Sequence, residues 1–233
     1  MLRSLPPVIA VVLLALLPLV ATWTTVVLTL ALAKGLAVLG IVVLLRAGQV
    51  SFGHALYFAA SGYAAAFLAG SLGGGEVLLL LLAGLATAGL LGLAIGLFVV
   101  GYRYIFFAML NLAFSMVLYS LLEKFFHITG GSDGLRVPRP SLFGMELERA
   151  GFELGLFYLS LVLAILAAFL VHRYLASPPG QALAALKTNE TRLEYLGVSP
   201  RAIFLGGYVI SALLAGLGGT LQALVQGLVT PEM

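Results

Sequence analysis

The sequence predicts an all-α, polytopic membrane bundle of about seven spans. Three observations carry that prediction. The 233 residues are 62% hydrophobic and 9% charged, against about 25% charged in a soluble domain. The uncharged runs are about 20 residues long, enough to cross a hydrocarbon core. The longest polar, helix-patterned stretch, Ser177 to Gly197, is flanked by apolar runs on both sides. Residues 1–233 are read as a single transmembrane domain.

The elements follow in order. No charge occurs from Ser4 to Ala33, and only Lys34 interrupts the run to Leu45. That is too long for one span. Thr22-Trp23-Thr24-Thr25 is the expected break, with Trp23 at an interface. The spans are placed near 5–21, 25–45, 52–70, 77–100, 104–122, 154–175 and 202–229. Arg3 and the apolar run after it resemble a signal peptide. Leu19 and Ala21 make a poor cleavage site, so the first run is read as a retained span. A polar segment rich in Gly and Pro fills 124–153. If the N-terminus is cytoplasmic, the inner face collects Arg3, Arg46, Arg103, Arg173, Lys187, Arg192 and Arg201. The outer face collects Lys124, Arg136, Arg139 and Arg149. Seven against four favours the N-terminus inside. This orientation makes 124–153 extracytoplasmic and 177–197 cytoplasmic.

Within 177–197, Leu183, Leu186, Leu193 and Leu196 recur at helical spacing, with Lys187, Asn189, Glu190, Arg192 and Glu194 on or beside the other face. Ser177 caps the start, Pro178 suits the first turn, and Gly197 suits a left-handed stop. This reads as one amphipathic helix between two spans: a surface helix covering the bundle ends, or a docking piece for a soluble partner. Small residues stripe the spans. Gly84, Ala88, Gly92 and Gly96 recur at every fourth position, and Ala212 with Gly216 and Ala215 with Gly219 repeat the spacing. Such stripes let helices approach closely in lipid.

Several chemistries find no support. Phosphate-loop and nucleophile-elbow patterns are both absent. There is no cysteine, and His54, His127 and His172 are far apart with no metal-ligand spacing. The scattered basic residues form no nucleic-acid patch. The unusual polar clusters are few. Gln49-Val50-Ser51-Phe52-Gly53-His54 joins hydrogen-bonding side chains to flexible glycine. It reads either as lining a translocation path, through Gln49, Ser51, Gly53 and His54, or as a satisfied helix start. Lys34 sits mid-span, where a charge costs at least about 2.5 kcal/mol. A structural ion pair is expected there, with Glu123 a candidate. Thr129-Gly130-Gly131-Ser132-Asp133-Gly134 reads as a tight hydrogen-bonded turn.

Taken together, three of these stretches resemble one family. Gly48-Gln49-Val50-Ser51-Phe52-Gly53-His54-Ala55, continuing to Gly62-Tyr63, resembles a signature of permease subunits of branched-chain amino acid ABC importers. Thr129 to Leu135 resembles the T-G-G-S-D-G-L turn of the LivM-type subunit. Ser177 to Gly197, followed by Ala215-Gly216-Leu217-Gly218-Gly219, resembles that family's cytoplasmic segment and next helix. Order and spacing match over about residues 46–233. Ser61-Gly62-Tyr63 departs slightly from the family's G-A-Y. The family's chains usually continue past the position of Thr230-Pro231-Glu232 through further spans, so the resemblance implies a shortened chain.

The resemblance implies a permease in a bacterial or archaeal inner membrane, in contact with lipid and not with nucleic acid. Its implied partners are a related second permease, two cytoplasmic ATP-binding subunits that hold ATP and Mg, and an extracytoplasmic solute-binding protein. No cofactor is expected in this chain, and no enzymatic activity. Gly180, Lys187, Asn189, Glu190, Arg192 and Gly197 would serve ATPase coupling. Branched-chain amino acids are the implied solutes, with urea or short amides as related ones. The rival expectations are an ion-coupled carrier or channel titrating at Lys34 or His54, and an intramembrane enzyme using His54 or Ser51.

Overall fold

The computed structural model describes residues 13–18, 23–145 and 147–233. Among the described residues, six helices are long and apolar enough to cross a membrane. They are α1 (Thr24–Arg46), α2 (His54–Leu72), α3 (Val77–Val99), α4 (Tyr104–Lys124), α6 (Arg149–Ala176) and α9 (Pro200–Gln226). Shorter helices include α5 (Phe126–Thr129), α7 (Pro178–Ala185) and α8 (Glu190–Tyr195). Strands β1 (Leu135–Arg136) and β2 (Leu228–Val229) pair antiparallel. The expected first span at 5–21 lies largely outside the described residues, of which 13–18 are helical.

Helix α9 is the centre of the bundle, packed against α1, α2 and α3, while α6 lies along α1. Small residues explain that position. Gly92 lies against Ala212, and Gly96 against Tyr208 and Leu205. A methyl at Gly219 would overlap the Phe58 carbonyl, and one at Gly218 would overlap the Ala33 carbonyl. The glycine ladder of α3 is thus the seam that receives α9. In lipid, close backbone packing replaces the hydrophobic force that holds soluble helices together. Apart from Lys34, outward mid-span positions such as Val38, Leu90, Leu97, Met109 and Phe169 are apolar.

Two boundaries move from their expected places. Helix α6 begins at Arg149 rather than 154, and Arg149 and Glu153 form an i,i+4 ion pair at 2.9 Å across its first turn. Helix α9 ends at Gln226 rather than 229. Gly227 turns left-handed (φ +65°), and Leu228 and Val229 leave the helix to pair with Arg136 and Leu135. At the same end, Val77 N–H donates to Ser141 O and Ser141 N–H to Gly75 O. The 124–153 segment is thereby stitched to the α2–α3 turn.

Candidate functional site

The six described spans alternate in direction, which gathers the α1–α2 loop, the α3–α4 turn and 177–197 at one end. The 177–197 segment is not one continuous helix. It divides into α7 and α8, because Asn189 adopts an extended backbone and its side chain accepts from Arg192 N at 3.2 Å, starting a new helix. Pro178 occupies the first turn of α7, as expected. Ser177 has the extended backbone of a cap, but its hydroxyl donates to Tyr174 O instead. Gly180 is buried where a side chain would overlap the Tyr174 carbonyl, so α7 folds tightly back on the end of α6.

Leu183, Leu186 and Leu193 are buried as their spacing predicted, with Leu183 against Gly207 of α9. Leu196 departs from the pattern. It is 77% exposed, beside Tyr195 at 87%. The cause is Gly197, whose left-handed φ of +75° ends α8 and turns the chain before Leu196 can fold inward. An apolar tip therefore projects from the bundle end. Lys187 and Arg192 are exposed, and the Lys187 stem lies beside Gly48.

Glu190 is tied inward. Its carboxylate accepts from Arg103 Nε at 2.5 Å and from Arg103 Nη2 at 3.3 Å. Arg103 also donates to the carbonyls of Val100 and Tyr102, and its guanidinium lies 4.8 Å from the Phe204 ring centroid. One side chain thus joins the α3–α4 turn, α8 and the first turns of α9. Next to it, Tyr104 N–H donates to Gln49 Oε1 at 2.6 Å, binding the α1–α2 loop to the same turn. Sequence reasoning counted Arg103 only as a positive charge. A lone arginine between two apolar runs was the available signal.

Gln49, Ser51 and His54 are all buried. Ser51 Oγ accepts from Gly53 N–H. Gly53 is pressed against the Asn111 backbone, with no room for a side chain. His54 Nε2 lies 2.5 Å from Ser211 Oγ, and Ser211 Oγ donates to Gly40 O at 2.7 Å. A serine has one proton, so His54 is the donor in that contact. A second chain lies beside it. Tyr208 donates to Asn111 Oδ1, which leaves Tyr57 to donate to Tyr208 at 2.7 Å, and Asn111 Nδ2 donates to Phe107 O at 2.8 Å. This polar joint links α1, α2, α4 and α9. Sequence reasoning found His54 and missed Tyr57, Asn111, Tyr208 and Ser211. The lone amide of Asn111 inside an apolar span was the clue.

The remaining predicted features lie elsewhere. Lys34 is exposed at mid-α1, and no ion pair joins it to Glu123 among the described residues. Glu123 sits in the last turn of α4, far from the depth of Lys34. The Thr129–Gly134 stretch is the tight turn expected. Thr129 Oγ1 donates to Leu122 O and accepts from Gly131 N–H, and Gly134 packs against the Val229 backbone.

Comparison with known proteins identifies the architecture. The family described as "branched-chain amino acid transport system / permease component" matches residues 23–233. The high-affinity branched-chain amino acid transport system permease protein LivM of Escherichia coli (strain K12) is 34% identical over 206 residues, covering 79% of this chain and 48% of that protein. The LivM protein of Salmonella typhimurium (strain LT2) matches to the same extent. The chain spans about half the length of these curated relatives. No solved structure matches.

Proposed function

This chain belongs to the branched-chain amino acid transport permease family, and we propose that it is a permease subunit of an ABC importer for branched-chain amino acids or related small polar solutes such as urea or amides. Its partners are a related second permease, two ATP-binding subunits that carry ATP and Mg, and an extracytoplasmic solute-binding protein. It lies in a bacterial or archaeal inner membrane with its N-terminus cytoplasmic. The clustering of Arg46, Arg103, Arg173, Lys187, Arg192 and Arg201 toward the end that holds 177–197 supports this orientation.

The observation that carries the coupling role is the Arg103–Glu190 contact at the root of a projecting apolar tip. The ATPases seat on the face bearing Tyr195, Leu196, Lys187 and Arg192. Their closure displaces α7 and α8. Glu190 passes that displacement through Arg103 to α4, and Gln49 relays it from the α3–α4 turn to the α1–α2 loop. Gly180, Asn189 and Gly197 shape the segment by setting its fold-back, its break and its stop. Gln49, Ser51, Gly53 and His54 form the joint about which the path rearranges. The chain itself transports and does not catalyse.

The test is purification from native membrane in mild detergent. Stoichiometric ATP-binding subunits are expected to accompany the chain and to be depleted when Tyr195 and Leu196 are replaced by Asp. A homogeneous oligomer of this chain without ATPase would overturn the proposal.

A further inference from the structure

Lys34 occupies an exposed stripe on α1 formed with Val27, Ala31, Gly35, Val38 and Val42. It lies ten residues after Thr24 and twelve before Arg46. At 1.5 Å per residue, that is about 15 and 18 Å from the helix ends. A four-carbon stem does not bring its ammonium out of a hydrocarbon layer about 30 Å thick. A charge at this depth requires a partner.

Among the described residues, none forms an ion pair with Lys34. The chain's nine acids are Glu76, Glu123, Asp133, Glu146, Glu148, Glu153, Glu190, Glu194 and Glu232. Glu123 and Glu153 are in terminal turns of α4 and α6, Glu76 and Glu148 are at helix caps, and Glu190 and Glu194 are in α8. By sequence, the other three fall in the segment before α6 or after α9. Residues 1–22 contain no acid at all. A second copy fits no better, since it brings another Lys34 and no mid-span carboxylate. The neighbours on the stripe are all apolar or glycine, so it is not built as a water-lined path. It does suit a helix, because nothing lies within 4 Å of a Cβ built on Gly35.

We propose that this face of α1 docks a transmembrane helix of a second, non-identical permease subunit, and that this helix carries a carboxylate that pairs with Lys34. The proposal rests on the importer reading for the existence of that subunit. Charge complementarity selects the occupant: the partner is acidic at mid-membrane, and the pairing fixes which permease sits beside which.

The chain is free of cysteine, so single reporters can be placed cleanly. A photocrosslinking residue at Val38 is expected, in native membranes, to yield an adduct with a polytopic subunit of different sequence that has an Asp or Glu in the middle of the crosslinked helix. Lys34→Glu and Lys34→Met are each expected to lower recovery of that subunit about tenfold. Replacing its acid with Lys is expected to restore binding to Lys34→Glu. Adducts only with lipid, or only with a second copy, would overturn the proposal. So would labelling of Ala31→Cys by a charged maleimide as fast as of Val50→Cys, which would mark a watery path. An acid-bearing partner found without any ATPase would sink the importer reading and leave the interface standing. ATPases present with Val38 against lipid alone would do the reverse.

Discussion

Reversing the charge of Glu190 separates a coupling role from a structural one. The Arg103 and Glu190 side chains are 18% and 36% exposed, which sets the scale. A partly exposed pair contributes about 0.2–1 kcal/mol to stability. For a chain of this length, about 1 kcal/mol moves Tm by about 2–4 °C, so the bundle should survive its loss. Glu190→Lys does more than remove the pair, because it sets two cations face to face. At about 4 Å, their repulsion runs from about 1 kcal/mol in water to about 4 kcal/mol at an effective dielectric of 20. The seated position of α8 is then disfavoured about 5- to 1,000-fold. The assay is the proposed importer complex reconstituted in proteoliposomes, read as ATP hydrolysed per solute imported. The ratio is expected to rise at least about tenfold in Glu190→Lys, with Tm within a few degrees of wild type. Combining Arg103→Glu with Glu190→Lys is expected to recover part of the coupling. Recovery stays partial because Arg103 also lies over Phe204. Unchanged transport in the single variant, or a double variant no better than the single, would refute the reasoning.

Three further outcomes follow from the packing. Gly219→Ala pushes a methyl into the Phe58 carbonyl and is expected to destabilise the bundle by about 1–3 kcal/mol, read as lowered Tm in detergent. Tyr208→Phe removes the hydroxyl between Tyr57 and Asn111. Its coupling to Tyr57→Phe in a double-mutant cycle should be about 0.6 kcal/mol, the average for hydrogen bonds within membranes, and no more than about 1.7 kcal/mol; zero coupling would mean that the two hydroxyls act independently. Asn189→Ala deletes the α8 cap and should cost about 1 kcal/mol locally, detected as faster hydrogen exchange at the Arg192 amide with the six long helices unaffected.

The spans were legible because membrane crossing leaves a one-dimensional trace. An uncharged run of the right length suffices, and Val77–Val99 was found to within one residue. The α3 glycine ladder was legible for a similar reason, since spacing by four defines one helix face. What spacing cannot supply is the facing surface. His54 and Ser211 are 157 residues apart and Arg103 and Glu190 are 87 apart. No local pattern marks such partners. The break in 177–197 was hidden differently. Apolar periodicity runs through Leu186 to Leu193, but a capping Asn outweighs it and restarts the helix, and the left-handed stop at Gly197 then leaves Leu196 outside.

The two kinds of contact also divide α9 along its length. Toward Pro200 it is held by directional links: Phe204 under Arg103, Tyr208 to Tyr57 and Asn111, and Ser211 to His54 and Gly40. Toward Gln226 it is held by close packing, with Gly216 against the Ala88 and Ser61 side chains and Gly218 and Gly219 against the backbone of Ala33 and Phe58. Close-packed backbone tolerates little displacement before it clashes, whereas a hydrogen bond can exchange one partner for another. The 177–197 segment adjoins the first half, with Leu183 against Gly207 and Glu190 on Arg103. A push delivered there therefore meets the exchangeable half of α9 first and pivots against the glycine-packed half. Under the proposed coupling role, the polar joint, more than the glycine stripes, is where alternating access would begin.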